Sequence, residues 1–141
     1  MINVIYIKLP IEKISHLTRP EFINGQEQKF HDRLSQSISK HGMLDPVFMY
    51  YHRPGVKDRL QIIVGNNRMV IAKELGIKII PAIVVQFDAE NSDLKGRVLN
   101  SDDEIKKLFS VPQKVEIRRN KEGWIDQVTP YGFNKDYFLY Q

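Results

Sequence analysis

The stretch IIVGNNRMVIAKELGIKIIPAIVV, residues 62–85, narrows what this chain can fold into more than any other. A β-branched run stops at Gly65, a helical pattern occupies residues 67–75, and Gly76 stands where a left-handed residue closes a helix. A second β-branched run, residues 78–87, is apolar on both faces and predicts a strand buried on both sides in the middle of a sheet. Pro81 within it predicts a bulge or a position with no ladder partner.

The corner Val64-Gly65-Asn66-Asn67-Arg68 joins the first strand to the helix. Gly65 takes any backbone angle and leaves its N–H without a Cβ in the way. Asn66 or Asn67 is a suitable N-cap. The first turn of such a helix carries amide donors and a partial positive charge, which together form an anion site. Arg68 adds a planar fork of donors suited to phosphate or carboxylate. The same five residues also suit a plain connector with Arg68 on a solvated face, and both readings stand at this level. The Gly-Lys-Ser/Thr ending of a Walker A loop is missing, as are two of the three glycines of the dinucleotide fingerprint.

Around this centre, residues 2–8 alternate as a short strand ended by Pro10, and residues 15–26 read as loop. Residues 27–41 predict a helix with Phe30, Leu34, Ile38 and His41 on one face, Lys40 and His41 in the last turn, and Gly42 at its C-terminal end. Residues 46–64 predict a hairpin, with Pro46 at the head of its first strand. Ser101 and Glu104 form a capping box for a short helix, and residues 113–128 predict a second hairpin around Asn-Lys-Glu-Gly. Its Arg118, Arg119 and Lys121 lie close to Trp124, a combination on which bases stack, although a solvated hairpin with one buried Trp is the commoner outcome. The aromatic tail from Tyr131 to Gln141 is expected to cap the core, with a protein partner as the alternative.

With 141 residues the chain fits one domain, and its formal charge of +4 permits a phosphate-bearing partner without demanding one. It has no cysteine, which excludes disulfides, thiolate nucleophiles and cysteine metal sites. No leader and no run of roughly 20 apolar residues is present, so the expected setting is a soluble, cytoplasmic one without a membrane. The four histidines, at 16, 31, 41 and 52, form no metal-ligand spacing; His31 and Asp32 are expected to point to different faces. Asp45, Glu74 and His41 are the acid–base candidates near the corner, each with a bland alternative: a turn aspartate, a helix-surface glutamate, and the end of an apolar face.

Taken together, Ser37-Ile38, Gly42, Pro46, Gly65, Arg68, Ala72, Leu75-Gly76 and Pro81, in this order and with Thr18-Arg19-Pro20 upstream, resemble the N-terminal domain of ParB-like proteins and the related sulfiredoxins. The resemblance covers about residues 5–87 and implies an α+β fold, a small mixed sheet with helices packed on it, as a ParB/sulfiredoxin-like domain over 1–87 with a helix–hairpin extension over 88–141 packed on it. It also implies a nucleotide pocket. Gly65, Asn66, Asn67 and Arg68 would line the phosphates, the loop through Lys40, Gly42, Asp45 and Pro46 would lie against base or ribose, and Arg19 would reach in from the N-terminal loop. The implied cofactor is ATP or CTP with Mg²⁺, and DNA is a further partner. Three functions follow: a regulatory or accessory nucleotide-binding module in a DNA-related process, for instance in a phage or plasmid; a phosphotransferase or nuclease; or an interaction protein that lost the pocket. Asn66, Asn67, Val70 and Ile71 replace an acid, two arginines and an alanine of the ParB pattern. The absence of cysteine excludes the sulfinic acid chemistry of sulfiredoxins, and residues 88–141 lack the pattern of the ParB helix-turn-helix.

Overall fold

The computed structural model describes residues 2–18, 27–42, 45–87 and 96–139. The strands are β1 (Ile2–Pro10), β2 (Val47–Tyr51), β3 (Leu60–Val64), β4 (Ile79–Gln86), β5 (Arg97–Leu99), β6 (Glu116–Arg119) and β7 (Ile125–Thr129). The helices are α1 (Ile11–Ile14), α2 (Glu27–His41), α3 (Asn66–Glu74), α4 (Asp102–Lys106) and α5 (Lys135–Leu139). Five strands form one sheet in the order β3-β2-β4-β1-β5, and β6 and β7 form a separate antiparallel pair. The α+β class, the mixed sheet and the C-terminal hairpin are those the sequence predicts. β4 is the middle strand, with Ala82 to Gln86 buried, as its two-faced apolar run requires.

Contacts divide the chain into two compact units. One comprises Ile7–Met49 and Leu60–Ile83. Its core includes Ile14, Ile38, Val47, Phe48, Met69, Ile71, Ala72 and Ile80. α2 spans the predicted residues, and Gly42 closes it at φ 74° while its N–H donates to the Ile38 carbonyl at 2.8 Å. The predicted apolar face is shorter than expected. Ile38 is buried and Leu34 half-buried, but His41, the last residue of the helix, is exposed. The four-residue α1 directly after Pro10 has no counterpart in the sequence reading, since one turn carries no period.

The other unit comprises Met1–Tyr6, Tyr50–Arg59 and Val84–Gln141. Ile2, Val4, Val85, Phe87, Leu99, Ile105, Leu108, Phe109, Ile125 and Val128 form its core. The fully buried Asn3 and Gln86 join through an amide hydrogen bond of 3.3 Å. Ser101 caps α4 as predicted, its hydroxyl accepting from the Glu104 N–H at 3.2 Å. The hairpin turns at Asn120, whose side-chain oxygen accepts from the amides of Glu122 and Trp124 at 3.1 and 3.0 Å. A register shift between Arg118 and Arg119 turns Ile125 inward. Trp124 is consequently 54% exposed, contrary to the buried tryptophan expected.

Two side chains, Tyr50 of β2 and Arg53 just after it, secure β7. The buried Tyr50 hydroxyl donates to the Val128 carbonyl at 2.6 Å and accepts from the Val128 N–H at 3.0 Å. Burial pushes the Tyr50 phenol above its ordinary value. Arg53 Nε donates to the Asp126 carbonyl at 2.8 Å. Asp126 and Val128, two apart on β7, direct their backbone groups to one edge of that strand, and Tyr50 and Arg53 bond them there. The aromatic tail divides: Phe133 stands 6.0 Å from Phe109 in the core, whereas Tyr131 is exposed under the ammonium of Lys114.

Candidate anion cleft at the start of the third helix

β3 ends at Val64 and α3 begins at Asn66, which leaves Gly65 alone to turn the chain. It does so at φ 108°, a backbone state that residues with a Cβ rarely adopt. A Cβ built on Gly65 would lie 2.7 Å from Val47 Cγ1, so the missing side chain faces strand β2. Packing and backbone angle both require glycine here.

Gly65 is also the N-cap of α3, with no side-chain cap, where Asn66 or Asn67 was expected. The left-handed turn at Gly65 puts both asparagines inside the first helical turn. The first intrahelical bond runs from the Met69 N–H to the Gly65 carbonyl at 2.9 Å, so the amides of residues 66–68 lie ahead of the ladder at the positive end of a nine-residue helix.

These residues open onto a cleft of about 320 Å³. Leu34 of α2, with Ile63 and Val64 of β3, forms its apolar wall, and Gly65 to Arg68 form its polar end. Arg68 Nη1 donates to the carbonyls of Asp45 and Pro46 at 3.0 and 3.3 Å. Its guanidinium is thus held against the loop that precedes β2 and is not extended into solvent. Nε and Nη2 donate no hydrogen bond to the described residues. Partial burial lowers the Arg68 pKa, and the nearby Asp45 carboxylate works in the opposite direction.

The structure thus brings together Gly65, Asn66, Asn67, Arg68, Asp45 and Pro46. Asp45 is exposed and Pro46 buried. Lys40 and Gly42 are exposed at the end of α2 and do not line the cleft. Arg19 lies outside the described residues. Glu74 is an exposed helix residue, as expected, yet its carboxylate receives His31 Nε2 at 2.8 Å and links α3 to α2. His31 Nδ1 lies 3.7 Å from Asp32 Oδ1, so the two approach each other although consecutive helical residues point about 100° apart. The hydrogen bond to Glu74 raises the His31 pKa.

Sequence reasoning missed Val47 and Leu34. Leu34 was legible as part of the α2 face, but Val47 carries no signal, because its role arises only when β2 meets Gly65. The basic hairpin is largely neutralised: Arg118 pairs with Asp126 at 3.0 Å and Arg119 with Asp102. Among the described residues no group of three or more His, Asp or Glu side chains is placed to hold a metal, and no helix is long and apolar enough to cross a membrane.

Solved structures provide the first comparison. A sulfiredoxin from Arabidopsis thaliana is similar at 20% identity and TM-score 0.40, over 57% of this chain and 83% of that one. A Pnob8-like ParB-N domain is similar at 16% identity and TM-score 0.41, over 77% of this chain and 36% of that one. A free serine kinase variant in complex with ADP is similar at 20% identity and TM-score 0.38, over 85% and 47%. This chain therefore spans less than half of the latter two. No curated protein matches it. The model of the ParB N-terminal domain family matches residues 3–95, about two thirds of the sequence, and the chain belongs to that family.

Proposed function

We propose that this protein is a nucleotide-binding module of the ParB N-terminal type, with regulatory or accessory work in a DNA-related process. One observation carries the reading: a half-buried guanidinium is fixed beside the amide end of α3, at the polar end of a cleft whose other wall is apolar. Amide donors, helix charge and a guanidinium fork suit phosphate, and the Leu34–Ile63 wall suits the less polar remainder of a nucleotide. ATP or CTP with Mg²⁺ is the ligand that the family resemblance implies, and the DNA-related setting rests on family alone. The extension over residues 88–141 is assigned to the same domain as residues 1–87.

The test is calorimetry of the wild-type protein and Arg68→Ala with ATP, ADP, CTP and GTP, each with Mg²⁺. Expected is binding by the wild type and a loss of about 10–100-fold in the variant, the size of one charge-assisted contact. No binding of any nucleotide at millimolar concentration would contradict the reading.

A further inference from the structure

We infer that the loop between β2 and β3, residues 52–59, is a docking surface for the phosphate backbone of duplex DNA, with Arg59 as its anchoring fork. This goes beyond the nucleotide reading, makes no use of the α3 cleft, and stands or falls without it.

The loop is closed firmly. The His52 N–H donates to the Arg59 carbonyl at 2.9 Å, and the Val56 N–H to the Arg53 carbonyl at 3.3 Å. Pro54 and Gly55 lie between Arg53 and Val56, with Gly55 at φ 78°, the pattern of a type II turn. Arg53 ties the loop to β7 through the Asp126 carbonyl and the Gln127 side chain. The loop is therefore held in one shape before any partner arrives.

His52 is the unusual residue. Among the described residues it is the one non-glycine with a positive φ, at 55°. Glycine takes that angle without steric cost, so a histidine there keeps an imidazole in place against strain, and such strain gathers at functional sites. Its ring packs on Tyr51 with centroids 4.2 Å apart, and its Nε2 accepts from Arg59 Nε at 2.9 Å. A guanidinium only donates, so this bond engages the inner N–H of Arg59 and orients the rest of the group. Arg59 Cζ lies 5.4 Å from the Tyr51 ring centroid, a second restraint on the same guanidinium. Arg59 is exposed, and its Nη1 and Nη2 donate to no described residue. Two such donors in a fixed plane match two oxygens of one phosphate. With Tyr51 engaged by His52 and Arg59, the surface grips backbone and not bases.

The surroundings favour a polyanion over a protein. Pro54, Gly55, Lys57, Asp58 and Arg59 are the exposed residues of the loop, and they offer no large apolar side chain on which a protein interface could centre. Interfaces with nucleic acid are instead polar and basic. Arg53, Lys57 and Arg59 outweigh Asp58, and the chain as a whole has a formal charge of +4. Duplex DNA presents one negative charge per roughly 1.7 Å of axis, so Lys57 meets a phosphate near the one that Arg59 grips.

The experiment is fluorescence anisotropy of the full chain with two labelled duplexes of unrelated sequence, starting at roughly 50 mM salt. The wild type should bind both duplexes equally. Arg59→Ala should weaken both by about tenfold and lower the slope of log affinity against log salt by about one. Lys121→Ala removes the same formal charge from the other hairpin and should change little. His52→Gly relieves the strain but releases Arg59, so it should weaken binding several-fold, and adding it to Arg59→Ala should weaken binding no further. No binding of either duplex at about 100 μM protein would overturn the inference. So would equal losses from Arg59→Ala and Lys121→Ala, additive losses from His52→Gly and Arg59→Ala, or polyglutamate displacing the labelled duplex as well as unlabelled duplex does. None of these results bears on the α3 cleft.

Discussion

Gly65 does two jobs at one atom: it accepts a left-handed backbone angle and lets Val47 Cγ1 occupy the space of a Cβ. Gly65→Ala should therefore destabilise the protein by about 1–3 kcal/mol from the backbone angle alone, with more from the contact. Urea denaturation measures this, and adding Val47→Ala should recover the contact part while leaving the backbone part. Arg68→Lys should restore little binding to the cleft, because a single ammonium cannot both hold two loop carbonyls and present a fork. The sequence made Gly65 and Arg68 conspicuous, since glycine and arginine at a strand-to-helix corner are chemically distinctive. It could not show that the glycine answers to Val47, or that Asp45 shares the arginine, because both facts depend on residues about 20 positions away meeting in space.

At the scale of elements, α2 was legible end to end. Its period, its basic last turn and Gly42 all point to the same boundaries. The three-residue β5 and four-residue α1 were not, because they are shorter than the pattern that would reveal them. The pairing of α2 with α3 through His31 and Glu74 gives a pH dependence. His31 holds its proton more tightly folded than unfolded. Its stabilisation is thus full below the unfolded value of about 6.5 and fades as pH rises through the raised folded value. Glu74→Gln should flatten this part of a stability-against-pH profile between about pH 6 and 8, read by thermal unfolding. A separate element-level prediction concerns β7. Tyr50→Phe leaves the Val128 amide and carbonyl without the hydroxyl that serves both, and should cost roughly 1–3 kcal/mol in chemical denaturation.

Across the whole molecule, the family match ends at residue 95, but the packing does not. Ile105, Leu108, Phe109, Ile125 and Val128 share one core with Ile2, Val4 and Val85. A chain truncated after residue 95 should lose cooperative unfolding and near-UV dichroism, since it would bare that core to water. The claim on which the functional account stands is that a phosphate sits at the start of α3. It is tested most directly by amide-resolved NMR of the wild-type protein during titrations with ATP and with CTP in Mg²⁺. The largest saturable shifts should fall on the backbone amides of Gly65, Asn66, Asn67 and Arg68 and on Arg68 Nε–H. Shifts centred elsewhere, on the basic hairpin for instance, or an unchanged spectrum at millimolar concentrations of both nucleotides, would contradict it.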